Sequence, residues 1–154
     1  MTKMTIIDVV NIAYPGQLSL GNVTFGEDTD NNIFITSWNV PNQPEPSVDS
    51  LLAQMPALQS QFDLSYFVTN GTLMLSAFVD SVAQQKQYDD GVSCASYVTS
   101  TVVTWAAQAV AFIGWRDSVY NYAIAQELLM QSGSRTIPTF TEFLSELPVI
   151  AWPT

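Results

Sequence analysis

The sequence predicts an α+β fold: a small N-terminal antiparallel β element, a proline linker, and a mainly α-helical C-terminal module with one long central helix. Three observations predict it. Residues 5–40 are rich in β-branched and aromatic residues with loose alternation. Pro41, Pro44 and Pro46 then fall within six residues, which makes an extended, stiff segment. Beyond it the apolar pattern takes on a helical period. The expected division is residues 1–40, a linker at 41–46 and a helical module at 47–154.

In the first part, "TIIDVVNIA" and "NNIFITSW" are the outer strands and "LGNVTFG" a short middle one. "YPGQ", with Pro15 and Gly16 at its centre, suits a type II turn. "GEDTDNN" at 26–32 is an acidic turn. Beyond the linker, Ser47 is a plausible N-cap for "VDSLLAQM". Pro56 should kink or end that helix. "SQFDLSYFVTNG" fits helix or loop, and Asn70-Gly71 is a turn signal. The second helix is expected at about 72–88, broken by Asp89-Asp90-Gly91, with Ser93 able to cap the next. The central helix is placed at about 94–131, which at 1.5 Å per residue is ~57 Å long. Gly133 supplies its left-handed C′ residue. Thr139 and Glu142 form a capping box for a short last helix ended by Pro148.

Composition restricts function. The charged fraction is 12%, about half the usual ~25%. Such a shortage fits a surface partly covered by a partner, or one built from Ser, Thr, Asn and Gln. Net charge is −10, and Lys3, Lys86, Arg116 and Arg135 cannot build a basic patch. Nucleic acid and anionic membranes are therefore poor partners. Cys94 has no second cysteine to pair with and fits a reducing cytoplasm. Asp8 and Asn11 interrupt the first apolar run, so it makes a poor signal peptide. The longest apolar run, fourteen residues at 102–115, reads as a buried helix rather than a membrane span.

Catalytic chemistry is not expected. Without histidine there is no Ser-His-Asp or Cys-His system. With one cysteine besides, a zinc site is implausible, and no metal or cofactor is expected. Asp28, Asp30 and Asn32 have the spacing of a calcium loop. However, Ile33 stands where that loop needs Gly and Asn39 where it needs Glu.

The central helix carries the binding candidates. Ser100, Thr104, Ala107, Ala111, Gly114, Ser118, Asn121 and Ala125 follow steps of 4 and 3, and every member is small. Two apolar lines flank them: Val98, Val102, Trp105, Ala109, Phe112, Val119 and Ala123, and Val103, Ala106, Val110, Ile113, Tyr120, Ile124 and Leu128. A helix apolar on most sides must be surrounded. The small face meets either solvent or a closely approaching backbone, in this chain or another, a second copy included. A contact inside the fold is expected, because the second helix and the C-terminal hairpin need a place to dock. The candidate partner-binding residues are Ala107, Ala111, Gly114 and Ser118, with Trp115 and Tyr122 beside them. Arg116 and Asp117 each interrupt an apolar line. Consecutive residues point about 100° apart, so each is expected to find its partner in another segment. Arg116, Asp117 and Glu142 are read as registry residues that fix how the helices dock.

One set of residues carries a resemblance over about residues 76–153. It comprises Asp80 and Ala83 in "FVDSVAQQ", "YDDGVSCASYVTS", Trp105, "FIGWRDSVYNYA", Gly133, Arg135, "IPTFTEFLSELP" and the terminal Trp152-Pro153. This half of the chain resembles the small tail-fibre assembly proteins of tailed bacteriophages. The resemblance implies a chaperone that binds the phage tail-fibre protein and escorts it to its folded trimer, in the host cytoplasm during assembly. The competing implication is a small structural component, a connector or tip cap, retained in the virion tail.

Overall fold

The structure is a computed structural model that describes residues 3–153. A two-stranded antiparallel sheet lies near the N-terminus and the remainder is mainly helical, as the sequence predicts. The order is α1 (Ile6–Ala13), β1 (Val23–Glu27), β2 (Ile33–Trp38), α2 (Val48–Gln84), α3 (Gly91–Ser96), a 3₁₀ turn (Tyr97–Thr99), α4 (Val103–Gln131) and α5 (Phe140–Ser145). Two compact units divide between Ser65 and Tyr66. The division falls inside α2, so the proline segment belongs to the first unit instead of linking two modules.

In the first unit, "TIIDVVNIA" is a helix, not a strand. The Thr5 hydroxyl accepts from the Asp8 amide at 3.3 Å, and the Asp8 carboxylate accepts from the Thr5 amide at 2.7 Å. That capping box satisfies two orphan donors. Ile6, Val9 and Val10 then bury one helical face, so local β propensity loses to capping plus burial at i, i+3, i+4. The 14–17 turn forms as expected: the Gln17 amide donates to the Tyr14 carbonyl at 3.2 Å, and Gly16 takes φ +80°. The other two expected strands form the sheet, Val23 pairing with Trp38 and Glu27 with Ile33 around a bulge after Thr24. The acidic turn is tied by its own carboxylate. Asp28 Oδ1 accepts from the amides of Asp30 and Asn32, each at 2.9 Å. The core of this unit gathers Met4, Ile6, Val9, Val10, Val23 and Leu51, with Tyr14 edge-on to Trp38 at 4.9 Å.

α2 is the longest helix at 37 residues, about 56 Å. Ser47 caps it as expected, accepting from the Ser50 amide at 3.1 Å. Neither expected interruption ends it. Pro56 withholds an N–H from the preceding turn, but the helix continues through it. At Asn70-Gly71, Asn70 Nδ2 donates to the Tyr66 carbonyl at 2.8 Å and Thr72 Oγ1 to the Val68 carbonyl at 2.9 Å. Both side chains fold back onto the previous turn and so stay within the helix where the dipeptide favours a turn.

The expected continuous helix at 94–131 is in fact three pieces. Asp90, not Ser93, caps α3, accepting from the Ser93 amide at 2.6 Å. Ser100 then turns extended, with ψ 141°, and its hydroxyl accepts from the Val102 amide at 3.1 Å. Hydroxyl residues and β-branched valines at 99–104 offer the backbone non-helical partners and restart the helix late. α4 is thus 29 residues, about 44 Å. It ends in a Schellman motif: the Ser134 amide donates to Leu129 O at 2.9 Å and the Gly133 amide to Met130 O at 3.1 Å, with Gly133 at φ +72°. The Thr139–Glu142 capping box opens α5 as the sequence predicts.

Two aromatic groups fill the second unit. Phe67 stacks on Phe140 at 4.9 Å and meets Phe143 edge-on at 5.5 Å. Phe112, fully buried, lies 5.5 Å from Trp115 and 6.2 Å from Trp152.

Candidate partner interface

The inward face of α4 is set by Ala109, Phe112, Trp115 and Val119, all buried. Trp115 closes it with a hydrogen bond, its indole N–H donating to the Pro148 carbonyl at 2.7 Å. Trp115 is therefore committed to the fold, and the sequence reading of it as a partner contact is corrected. Tyr122 is half-buried, and its hydroxyl donates to Glu146 Oε2 at 2.7 Å. It too serves the attachment of α5.

The small face turns outward. Ala107, Gly114 and Ser118 are exposed and Ala111 is half-buried. A Cβ placed on Gly114 would meet nothing within 4 Å, and the Ser118 hydroxyl folds back to donate to the Gly114 carbonyl at 2.9 Å. Among the described residues, none approaches Gly114 on this face, so the expected intrachain contact is not made there. The second helix and the C-terminal hairpin dock on the large residues of the opposite face, where burial removes more apolar area from water.

The charge pair also behaves differently from its sequence reading. Arg116 and Asp117 pair with each other, Nη2 to Oδ1 at 3.1 Å, with side chains 33% and 57% exposed. Solvent near both heads lets the flexible arginine bend back to its neighbour, so no partner from another segment is needed. Glu142 holds the α5 N-terminus, accepting from the Thr139 amide at 2.8 Å. These backbone and hydroxyl donors hold its carboxyl below the usual range. Registry falls to Arg135, which the sequence reading passed over as a site. Its guanidinium donates to both oxygens of Glu146, at 2.8 and 2.6 Å, and to Gln126 Oε1, and lies 5.9 Å over the Phe143 ring. The available signal was its scarcity: one of four basic residues, placed two positions after a helix-ending glycine.

The other distinctive residues of this half also find structural roles. Asp80 accepts from the Gly91 amide at 2.9 Å, tying α2 to α3. Trp105 meets Tyr97 edge-on at 5.5 Å. Trp152 stacks on Phe112, with Lys86 5.7 Å over its ring. Cys94 is fully buried, and burial pushes its thiol up to about 11, so little nucleophilic thiolate is present near neutrality. An open cleft of about 670 Å³ beside Arg135 is lined by groups that already have partners: Tyr122 and Arg135 are bonded to Glu146, and Glu142 to Thr139.

What the surface offers is apolar. Val103, Val110, Ile124 and Leu128 on α4 are 57–82% exposed. Leu73 on α2 and Val149 near the C-terminus are exposed as well. Among the described residues, no helix is long and apolar enough to cross a membrane, and no group of three or more His, Cys, Asp and Glu could hold a metal ion. No family model, curated protein or solved structure matches the chain.

Proposed function

We propose that this chain is a bacteriophage tail-fibre assembly chaperone. It binds the fibre protein and assists its folding, trimerisation or attachment. The observation that carries the reading is a convergence: the residues behind the resemblance are the same ones that build the second unit. Asp80 joins α2 to α3, Trp115 is bonded to Pro148, Arg135 clamps Glu146, and Trp152 stacks on Phe112. A shared pattern of framework residues is what a common scaffold would need. The chemistry fits a binder. The chain lacks histidine, its cysteine is buried, and its acidic surface still exposes apolar side chains. A β-rich trimer exposes strand edges and apolar patches before it closes, and an acidic cover would keep such intermediates apart.

Co-expression with a cognate tail-fibre gene tests this. A chaperone raises the yield of soluble fibre trimer, and its affinity for the fibre changes little between low and high salt. Unchanged fibre yield, with the chain recovered in purified particles, would instead favour a structural virion component.

A further inference from the structure

One line of α4 combines small residues with the large apolar residues that the helix leaves exposed. Val103, Ala107, Val110, Gly114, Asp117, Asn121, Ile124 and Leu128 follow steps of 4 and 3, and every one is exposed. A 3.5-residue repeat is the seam of a left-handed helix pair. A series of alternating 4 and 3 steps keeps its spacing when reversed end to end, so the line can face a copy of itself. We propose that α4 packs antiparallel against α4 of a second copy, about a two-fold axis passing between Trp115 and Arg116. Val103 then faces the partner's Leu128, Ala107 the partner's Ile124, Val110 the partner's Asn121, and Gly114 the partner's Asp117.

Three features favour this occupant. The first is charge. The chain carries fourteen acidic and four basic residues, so most approaches of one copy to another bring acid against acid. This line carries a single charge, Asp117, and Arg116 adjoins it. Both lie within half a turn of the axis, so each arginine reaches the partner's Asp117, and the four charges cancel. Their exposure and their pairing to each other leave them free to exchange partners. The second is size. Ala107 and Gly114 make room opposite a large or charged side chain, and the ends pair Val with Leu, so the backbones can approach to about 8–10 Å. The third is extent. The line runs for about 38 Å at 1.5 Å per residue, while the remaining large exposed residues, such as Leu20, Leu73 and Val149, do not form such a series. An isologous contact of this kind closes at two copies. The inference does not rest on the fibre reading.

Sedimentation equilibrium of the full chain tests it, with no fibre present. A dimer is expected. Arg116→Asp should weaken dimerisation by about tenfold, and adding Asp117→Arg should restore it. Arg116 holds no other segment, so circular dichroism should show the variants folded. Register is read by mild oxidation. The double variant Ala107→Cys with Ile124→Cys should give a disulfide-linked dimer, and either single variant should not; buried Cys94 takes no part. A chain that stays monomeric at every concentration overturns the proposal. So does Ala107→Cys linking alone, which means a parallel pair. A monomer whose α4 variants instead lose a co-expressed fibre also overturns it, because the face then belongs to the fibre.

Discussion

Gly91 is the most closely packed glycine of the second unit, and Gly91→Ala should destabilise it. A Cβ at this position would lie 3.1 Å from Asp80 Oδ1, 3.1 Å from Phe112 Cζ and 3.3 Å from Val79 Cγ1. None of the three can yield easily. Asp80 Oδ1 is held by the Gly91 amide itself at 2.9 Å. Phe112 is fully buried beside Trp115 and Trp152, and Val79 is 3% exposed. Forcing a methyl into a packed site costs ~1–3 kcal/mol. The propensity gain from replacing glycine is at most about 1 kcal/mol, and less in the first turn of a helix. The net cost should be about 1–2 kcal/mol, a fall in melting temperature of about 2–8 °C for a chain of this size. Near-UV circular dichroism reads it directly, because the crowded ring sits among tryptophans. Phe112→Leu removes the ring atom in question. Gly91→Ala should therefore cost less in the Phe112→Leu background than in the wild type. Equal costs in both backgrounds, or a Gly91→Ala protein that melts at or above the wild type, would refute the crowding argument.

Three further outcomes follow from the same packing. Cys94 should resist alkylation at neutral pH until denaturant is added; its raised thiol pKa means its contribution to stability is complete below the ordinary thiol value and lost as pH climbs through about 11. Arg135→Ala should lower the melting temperature more than Arg116→Ala, since Arg135 ties α5 to α4 whereas Arg116 pairs with its own neighbour Asp117. Because the Arg135 fork and then the Tyr122 hydroxyl hold Glu146 below its ordinary pKa, that contribution is present above the ordinary glutamate range and lost as pH falls through the lowered value; an acid titration of Arg135→Ala should show this component reduced, with the Tyr122 share remaining. Thr139→Ala removes the hydroxyl half of the capping box, leaves the Glu142 carboxylate on the backbone amide of residue 139, and should cost about 1 kcal/mol, read by urea unfolding; no change would mean that this remaining half and the packing of Phe140 and Phe143 hold α5.

The features legible in the sequence are those that depend on near neighbours. The turn at Gly16, the two strands 23–27 and 33–38, the Ser47 cap, the helix stop at Gly133 and the Thr139–Glu142 box each need only a few consecutive residues of the right chemistry. The fold class follows from them. At α1 the local signals conflicted: β-branched residues favour a strand, while Thr5 and Asp8 favour a helix start, and buried contacts to Met4, Val23 and Leu51 decide for the helix.

The sequence by itself determined the chemistry available to this protein: an acidic, charge-poor chain with no histidine, one cysteine and a long helix lined with small residues. Which face of that helix turns inward was decided only by the tertiary structure. Both faces of α4 are apolar enough to bury, and periodicity cannot choose between them. Phe112, Trp115 and Val119 win because they bury more area and because Trp115 finds the Pro148 carbonyl 33 residues away. The same long-range packing gave the docking role to Arg135 and left Arg116 to pair with Asp117 at the surface. A charge's partner depends on which segments meet in space, and spacing along the chain does not carry that information.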